Sequence, residues 1–273
     1  MAGEVTLSAA IRSSLLSLSG TENLIGRTQE RLASGLKVAS PIDDARIFFQ
    51  AKALADRGSD FNEKKEEIDQ GISSLGAALE AVESIDALVA QLKGLANAAK
   101  SATGTELTSI ETQYNDLTTQ IDNLAADATY QGLNLINGTG ESLDVSFSNL
   151  TSSTVSIASV DLRTASTGLD ISSAANFSLS TLIDAAIAEL EAAATELRAN
   201  AQELGSNVAL LETRLDFTER YVNILEEGSA KLNLADITEE GANLVALQTR
   251  QQLGISSLAF AGQSEQSVLA LFR

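Results

Sequence analysis

The sequence predicts a mainly α protein: an elongated hairpin-like bundle of long coiled-coil helices with a small β-rich tip. Three observations predict it. The 273 residues contain one proline, where ordinary usage of about 5% would supply roughly fourteen, and a chain that avoids proline this strongly is avoiding breaks in long helices. Apolar residues recur every seven positions over long stretches, the spacing of a coiled-coil seam. The two ends carry stripes of similar length and modest hydrophobicity, which suggests that the ends lie together and the middle forms a tip.

The first stripe covers residues 5–34, with Ile11, Leu18, Ile25 and Leu32 seven apart. Gly35 is the expected stop, because glycine takes the left-handed conformation that ends helices. Residues 38–44 read as a connector turned by Pro41, with Ser40 as the expected N-cap of the next helix and Asp43 and Asp44 favouring its positive end. Residues 42–101 form one long helical region in which Ile68, Leu75, Val82, Val89 and Ala96 hold the seven-residue spacing, beside Ile72, Leu79, Ile85 and Leu92. Ser101-Ala-Thr-Gly-Thr interrupts it, and a further helix is expected over about 105–128.

From Gln131 to about Phe177 the pattern changes to period two. Leu143-Asp-Val-Ser-Phe and Val155-Ser-Ile-Ala-Ser-Val alternate, Asn137-Gly138 is a turn pair, and two or three short strands follow. Seven hydroxyl residues (Ser146, Ser148, Thr151, Ser152, Ser153, Thr154 and Ser156) crowd this stretch. They read either as an exposed tip that carries O-linked sugars or as ordinary strand and turn residues. Three N-x-[ST] sequons, at Asn137, Asn149 and Asn176, carry little weight outside a secreted eukaryotic setting.

The longest ladder comes next. Ile183, Leu190, Leu197, Leu204, Leu211, Leu225 and Leu232 share one seven-residue register, with Thr218 its polar member. A second register holds Ile187, Ala194, Ala201, Val208, Leu215 and Val222. About fifty helical residues make a rod of roughly 75 Å, which must bury its stripe against other helices; the helices within 42–128 are its natural partners. A last stripe, about 238–272, includes Leu244, Leu247, Leu258, Ala261, Val268 and Phe272. Like the first it uses many Ala, Ser and Gly positions, and both look weaker as autonomous folds than the central rods.

Composition closes off several functions. Hydrophobic residues make up 44% of the chain, so general disorder is excluded. A net charge of −19, from 37 acidic and 18 basic residues, opposes nucleic acid and anionic membranes. The densest basic cluster, Lys64–Lys65, is flanked by Glu63, Glu66 and Glu67. Histidine and cysteine are absent, which removes histidine-based triads, thiol chemistry, disulfides and metal sites built on histidine or cysteine. No phosphate-cradling glycine loop occurs. Paired carboxylates such as Asp43–Asp44, Glu66–Glu67, Glu226–Glu227 and Glu239–Glu240 read as solvated helix faces. The expectation is a non-enzyme with no cofactor and no membrane insertion. The start of the chain lacks the basic and apolar regions of a cleavable secretory signal, which taken alone predicts a cytosolic protein.

Several blocks resemble bacterial flagellin. Near the start stands Glu30-Arg31-Leu32-Ala33-Ser34-Gly35-Leu36-Lys37-Val38-Ala39-Ser40-Pro41-Ile42-Asp43-Asp44-Ala45, in which Arg31, Leu32, Ser34, Gly35, Asp43, Asp44 and Ala45 match the family's pattern. Thr129-Tyr130-Gln131-Gly132 resembles its aromatic-x-Gly turn. Toward the end come Arg214–Phe217, Asp236–Glu240, Gln248-Thr249-Arg250-Gln251-Gln252-Leu253-Gly254 and the closing Val268-Leu-Ala-Leu-Phe-Arg273. The short middle and the ending are most similar to the small flagellins of alphaproteobacteria. The resemblance implies a structural subunit of the flagellar filament for swimming, exported unfolded by the type III channel to the outside of the cell. The implied partners are further copies of itself, other flagellins in mixed filaments, hook-associated and cap proteins, and an export chaperone.

The resemblance also implies a division of labour. Residues 1–38 and 234–273 become an inner-tube coiled coil, with Ile11, Leu18, Ile25, Leu32, Leu244, Leu247, Leu258, Val268 and Phe272 as its subunit contacts, all but Val268 expected to bury only in the filament. Residues 39–233 become the rod, with Ile68, Leu75, Val82, Val89, Leu190, Leu197, Leu204, Leu211, Leu215 and Leu225 in its core and a β-hairpin tip at about 138–178. Many flagellins carry an arginine-rich run, read by an animal innate receptor, where this chain has Gln91, Lys93 and Gly94. The loss of bidentate arginines predicts poor recognition. Two rivals stand beside this reading: a hook–filament junction protein with flagellin-like ends, and a soluble coiled-coil scaffold.

Overall fold

The computed structural model describes residues 9–174 and 177–271. In chain order these form α1 (Ala9–Ser34), α2 (Pro41–Ala99), α3 (Thr105–Asp127), β1 (Thr129–Tyr130), β2 (Leu133–Asn134), β3 (Ser142–Ser146), β4 (Thr154–Ala158), α4 (Ser180–Asn233) and α5 (Ile237–Leu271). The chain divides by its contacts into two units, Met1–Asp56 with Ile224–Arg273, and Arg57–Asn223.

The first unit is built on α1 and α5, which lie along each other. α1 ends where expected: Gly35 has φ +70° and its N–H bonds the Arg31 carbonyl at 2.8 Å. The chain then makes a short antiparallel bridge, Leu36 to Leu234. Lys37 and Val38 both donate to the Asn233 carbonyl, and Ala235 donates to that of Gly35. The start of α2 differs from the expected cap. The Asp43 carboxylate accepts from the Ala39 N–H, the Ser40 N–H and the Ser40 hydroxyl, so Ser40 is turned toward Asp43 instead of capping. These hydrogen bonds, Ser40's first, hold the Asp43 carboxyl below its usual range. The regular helix starts after Asp44, which is extended (φ −158°, ψ 101°) and accepts the Ile47 N–H at 3.0 Å. Asp44 is thus the N-cap.

Within the first unit the first turns of α2 pack on the end of α4. Ala51 is fully buried, the Ser229 hydroxyl donates to its carbonyl, and a Cβ on Gly228 would touch Leu54 at 3.4 Å.

The second unit holds one hydrophobic core drawn from α2, α3, α4 and the strands. Ile68, Leu75, Val82 and Val89 of α2 and Leu190, Leu197, Leu204 and Leu211 of α4 are buried in it, and Leu215 is half-buried against it. α3 contributes Ile110, Tyr114, Thr118, Ile121 and Ala125 at three- and four-residue spacing, one face of a helix. Tyr114 meets Phe177 edge-on at 5.2 Å; burial, with the Glu189 charge, pushes its phenol up to about 12. Asn134 closes α3: its amide donates to the Ala125 carbonyl and its oxygen accepts the Ile136 N–H.

β3 and β4 pair antiparallel from Ser142–Ala158 to Ser146–Thr154. Their hairpin lies against the sides of α2 and α4. Val145 is buried against Gly71, where a Cβ would come within 2.8 Å of the valine and 3.3 Å of Leu211. Arg214 covers the Phe147 ring at 4.9 Å, and Asn149 bonds Asp60 at 2.8 Å.

Candidate functional site

No group of three or more possible metal ligands occurs among the described residues, and no helix among them is long and apolar enough to cross a membrane. The surface with the clearest chemistry is the α1–α5 pair. On α1 the inward positions run Ile11, Ser14, Leu18, Thr21, Ile25, Thr28 and Leu32, alternating three and four apart. One ladder is apolar; the other is Ser14, Thr21 and Thr28. On α5 the inward positions run Gly241, Leu244, Leu247, Gln251, Gly254, Leu258 and Ala261. This is a coiled-coil seam in which hydroxyls, a glutamine and glycines take places that leucines would fill. A Cβ on Gly254 would meet Leu18 at 3.4 Å, so the helices approach closely there. The Thr21 hydroxyl returns to the Ser17 carbonyl of its own helix at 2.9 Å, which satisfies it without a cross-seam partner.

Ile11 is buried within the single chain, and Leu18, Ile25, Leu32, Leu244, Leu247 and Leu258 are half-buried in this seam. The expectation that these residues bury only in a polymer therefore fails for Ile11 and holds at most in part for the rest. The reason is that α1 and α5 already face each other through them. The side chain of Val268 and all of Phe272 lie outside the described residues. The apolar residues left facing out are others: Leu15, Leu16 (75% exposed), Leu24, Ile237, Val245, Leu253, Ile255 and Phe260 (73% exposed). Singly exposed leucines are ordinary, but eight such residues on two paired helices are a surface.

The blocks quoted from the two ends meet in one place. Arg31 Nη1 bonds Glu240 Oε1 at 2.9 Å across 209 residues of chain, with the Glu240 side chain only 9% exposed. Around this pair Leu24, Arg27, Thr28, Asn243, Leu247 and Arg250 line a groove of about 360 Å³. Ser34 stands at the end of α1, its hydroxyl donating to the Glu30 carbonyl and accepting the Leu36 N–H; Asp43 and Asp44 form the turn already described, and Ala45 is exposed. The sequence reading missed the hydroxyl ladder and the arginine groove. The first was signalled by Ser14, Thr21 and Thr28 at the same spacing as the leucines; the second had no local signal.

In the second unit, Gln91 and Gly94 line an open groove between α2 and α3 with Gln113, Asp116 and Gln120. Lys93 instead reaches α4, pairing with Glu191 at 2.8 Å. The hydroxyl residues divide between β3 (Ser146), the connecting loop (Ser148, Thr151, Ser152, Ser153) and β4 (Thr154, Ser156). Asn149 is engaged with Asp60, and Asn176 lies outside the described residues.

Comparison with known proteins agrees from end to end. Residues 7–141 match the bacterial flagellin N-terminal helical region, and residues 181–272 match the bacterial flagellin C-terminal helical region. Flagellin FljK of Caulobacter vibrioides is 30% identical over 277 aligned residues, covering 98% of each chain. A flagellin of Brucella melitensis is 29% identical, with both chains covered completely (100%). Among solved structures, Bacillus cereus flagellin matches with a TM-score of 0.48 and 19% identity, over 56% of this chain and 88% of that one.

Proposed function

The chain belongs to the bacterial flagellin family and is a structural subunit of the flagellar filament, not an enzyme, and from that premise we propose how its parts divide the work of assembly. The α1–α5 pair is the inner layer through which copies stack, and the helices from α2 to α4 form the rod outside it, with the β3–β4 hairpin as its reduced outer element. The observation that carries this is the set of outward apolar side chains on the pair: Leu16, Leu24, Val245, Leu253, Ile255 and Phe260 remain exposed within the described chain. An open helical polymer needs heterologous contacts that repeat without closing, and a seam rich in hydroxyls and glycines gains much of its order from such contacts. The half-buried seam residues Leu18, Ile25, Leu32, Leu244, Leu247 and Leu258 finish burying in the polymer.

Delivery to the outside of the cell through the flagellar export channel, and docking to an export chaperone, hook-associated proteins and a cap, follow from the same reading. The junction-protein and scaffold alternatives gain no support from relatives that are flagellins along the whole chain. The test is seeded polymerisation of purified protein watched by electron microscopy. The full chain is expected to give long tubes of even diameter. A chain lacking its last twenty residues is expected to keep the helical signal of the second unit and form none; filaments from it would refute the assignment.

Receptor recognition is expected to be weak. Gln91 and Gly94 supply no charge, and Lys93 is drawn to Glu191, so no arginine fork is presented there. Strong signalling by purified monomer in receptor-reporter cells would contradict this.

A further inference from the structure

We propose that the arginine groove on the α1–α5 pair is a socket for a carboxylate side chain of a second copy of this chain. The proposal rests on the reading above, in which this pair is the stacking layer, and names the polar contact that fixes its register.

The groove brings together three of the chain's basic side chains, Arg27, Arg31 and Arg250, around a single carboxylate, Glu240. That carboxylate is committed to Arg31. Among the described residues no ion pair or hydrogen bond reaches the guanidiniums of Arg27 and Arg250. Arg27 exerts only a Coulombic pull on Asp43. The groove thus keeps two positive charges in excess on a chain whose net charge is −19.

A surplus of this kind is unusual where acids outnumber bases 37 to 18. A carboxylate is the group it fits: planar, negative and able to accept two parallel N–H bonds from one guanidinium. The most abundant source of carboxylates facing a stacked subunit is the next identical subunit. The pairing also answers a problem of assembly, because acidic copies repel as they approach. A charged contact in a groove whose lining also includes Leu24, Thr28, Asn243 and Leu247 would fix which register is adopted, while the exposed apolar residues supply the adhesion.

Arg27→Lys and Arg250→Lys keep the charge and place a primary amine in the groove. Each variant, mixed as a minor fraction with unaltered chain, is polymerised and treated with a water-soluble carbodiimide, and the joined peptides are identified by mass spectrometry. The expected result is a lysine–carboxylate link between two chains, present in filaments and absent from monomer. Alongside, the double variant R27Q/R250Q, its helicity checked in the monomer, is expected to raise the critical concentration for polymerisation about tenfold, the worth of one charge-assisted contact.

Links only within one chain, or no link, in well-formed filaments would overturn the socket and leave the stacking layer standing. An unchanged critical concentration in R27Q/R250Q would do the same. A critical concentration that falls on adding inorganic phosphate, with no inter-chain link, would assign the groove to a free anion and overturn the proposal. Failure of the unaltered chain to polymerise would bring down the stacking reading itself, and the proposal with it.

Discussion

The α1–α5 seam and the core of the second unit use the same seven-residue period for different ends. In the second unit both partners are mainly apolar: Leu75, Ile85 and Leu92 of α2 and Leu190 and Leu197 of α4 are essentially inaccessible, and polar residues such as Ser74 and Thr218 are exceptions among them. In the seam, apolar steps on α1 alternate with hydroxyls from Ile11 to Leu32, and the α5 side offers Gly241, Gln251 and Gly254. The period fixes which face is inward in both cases. The residue type on the second ladder decides how much that face stabilises: a buried leucine contributes about 1.5–3 kcal/mol, whereas a threonine that bonds its own helix contributes little. Periodicity therefore announces a coiled coil, and the chemistry within the period tells whether it is complete in one chain or finished by neighbours.

The widest separation between the two regions is expected from truncating one leucine in each. Leu75→Ala or Leu197→Ala, fully buried, should cost about 2–5 kcal/mol of monomer stability in chemical denaturation. Leu18→Ala in the seam should cost about 1 kcal/mol or less in the monomer, yet impair polymerisation more than either core change. Equal monomer losses at Leu18 and Leu75 would erase the distinction.

A smaller effect comes from repairing the seam. Thr21→Val with Thr28→Val keeps shape and β-branching while replacing two buried hydroxyls. The monomer should gain about 1 kcal/mol in the α1–α5 pair, read as slower amide hydrogen exchange along α1 with no change in α3. Unchanged protection of α1 would show that the hydroxyl ladder does not limit the seam.

What the sequence made legible follows from this. The long helices were readable because burial repeats along the chain: Ile68 to Ala96 and Ile183 to Leu225 declare their inward faces without any partner being known. The alternation in Leu143–Phe147 likewise showed a strand. Where the hairpin rests was not readable, since it depends on Gly71 leaving room for Val145, two residues far apart in sequence. The Arg31–Glu240 pair was hidden for the same reason; ordinary charges acquire meaning only when α1 and α5 align. The cap of α2 was a local competition. Both Ser40 and Asp44 suit the role, and Asp43, by taking the Ser40 N–H and hydroxyl, decides for Asp44. The hydroxyl ladder was visible and passed over, because polar residues at seam spacing are usually taken for an outer face.

The smallest predicted effect probes how the loop after β4 is held, where side-chain bonds do the work that apolar burial does in the helices. Asp161 accepts from Arg163 Nε and Nη2 at 2.9 and 2.8 Å and from the Thr167 hydroxyl at 2.9 Å. The Arg163 hydrogen bonds above all lower its carboxyl from 3.8 to about 2. A folded value below the unfolded one means the stabilisation is fully present above about pH 4 and is lost as pH falls through about 2. Asp161→Asn should therefore cost about 1 kcal/mol at neutral pH, kept modest because Arg163 is partly exposed. The gap between variant and parent in thermal melting should shrink below pH 4 and close near pH 2. In the core of the second unit no such pH dependence is expected, because Leu75 and Leu197 have nothing to titrate. A gap that stays constant from pH 7 to pH 2 would mean that Asp161 holds the loop by shape, by filling the space that a Cβ on Gly138 would need, and not by charge.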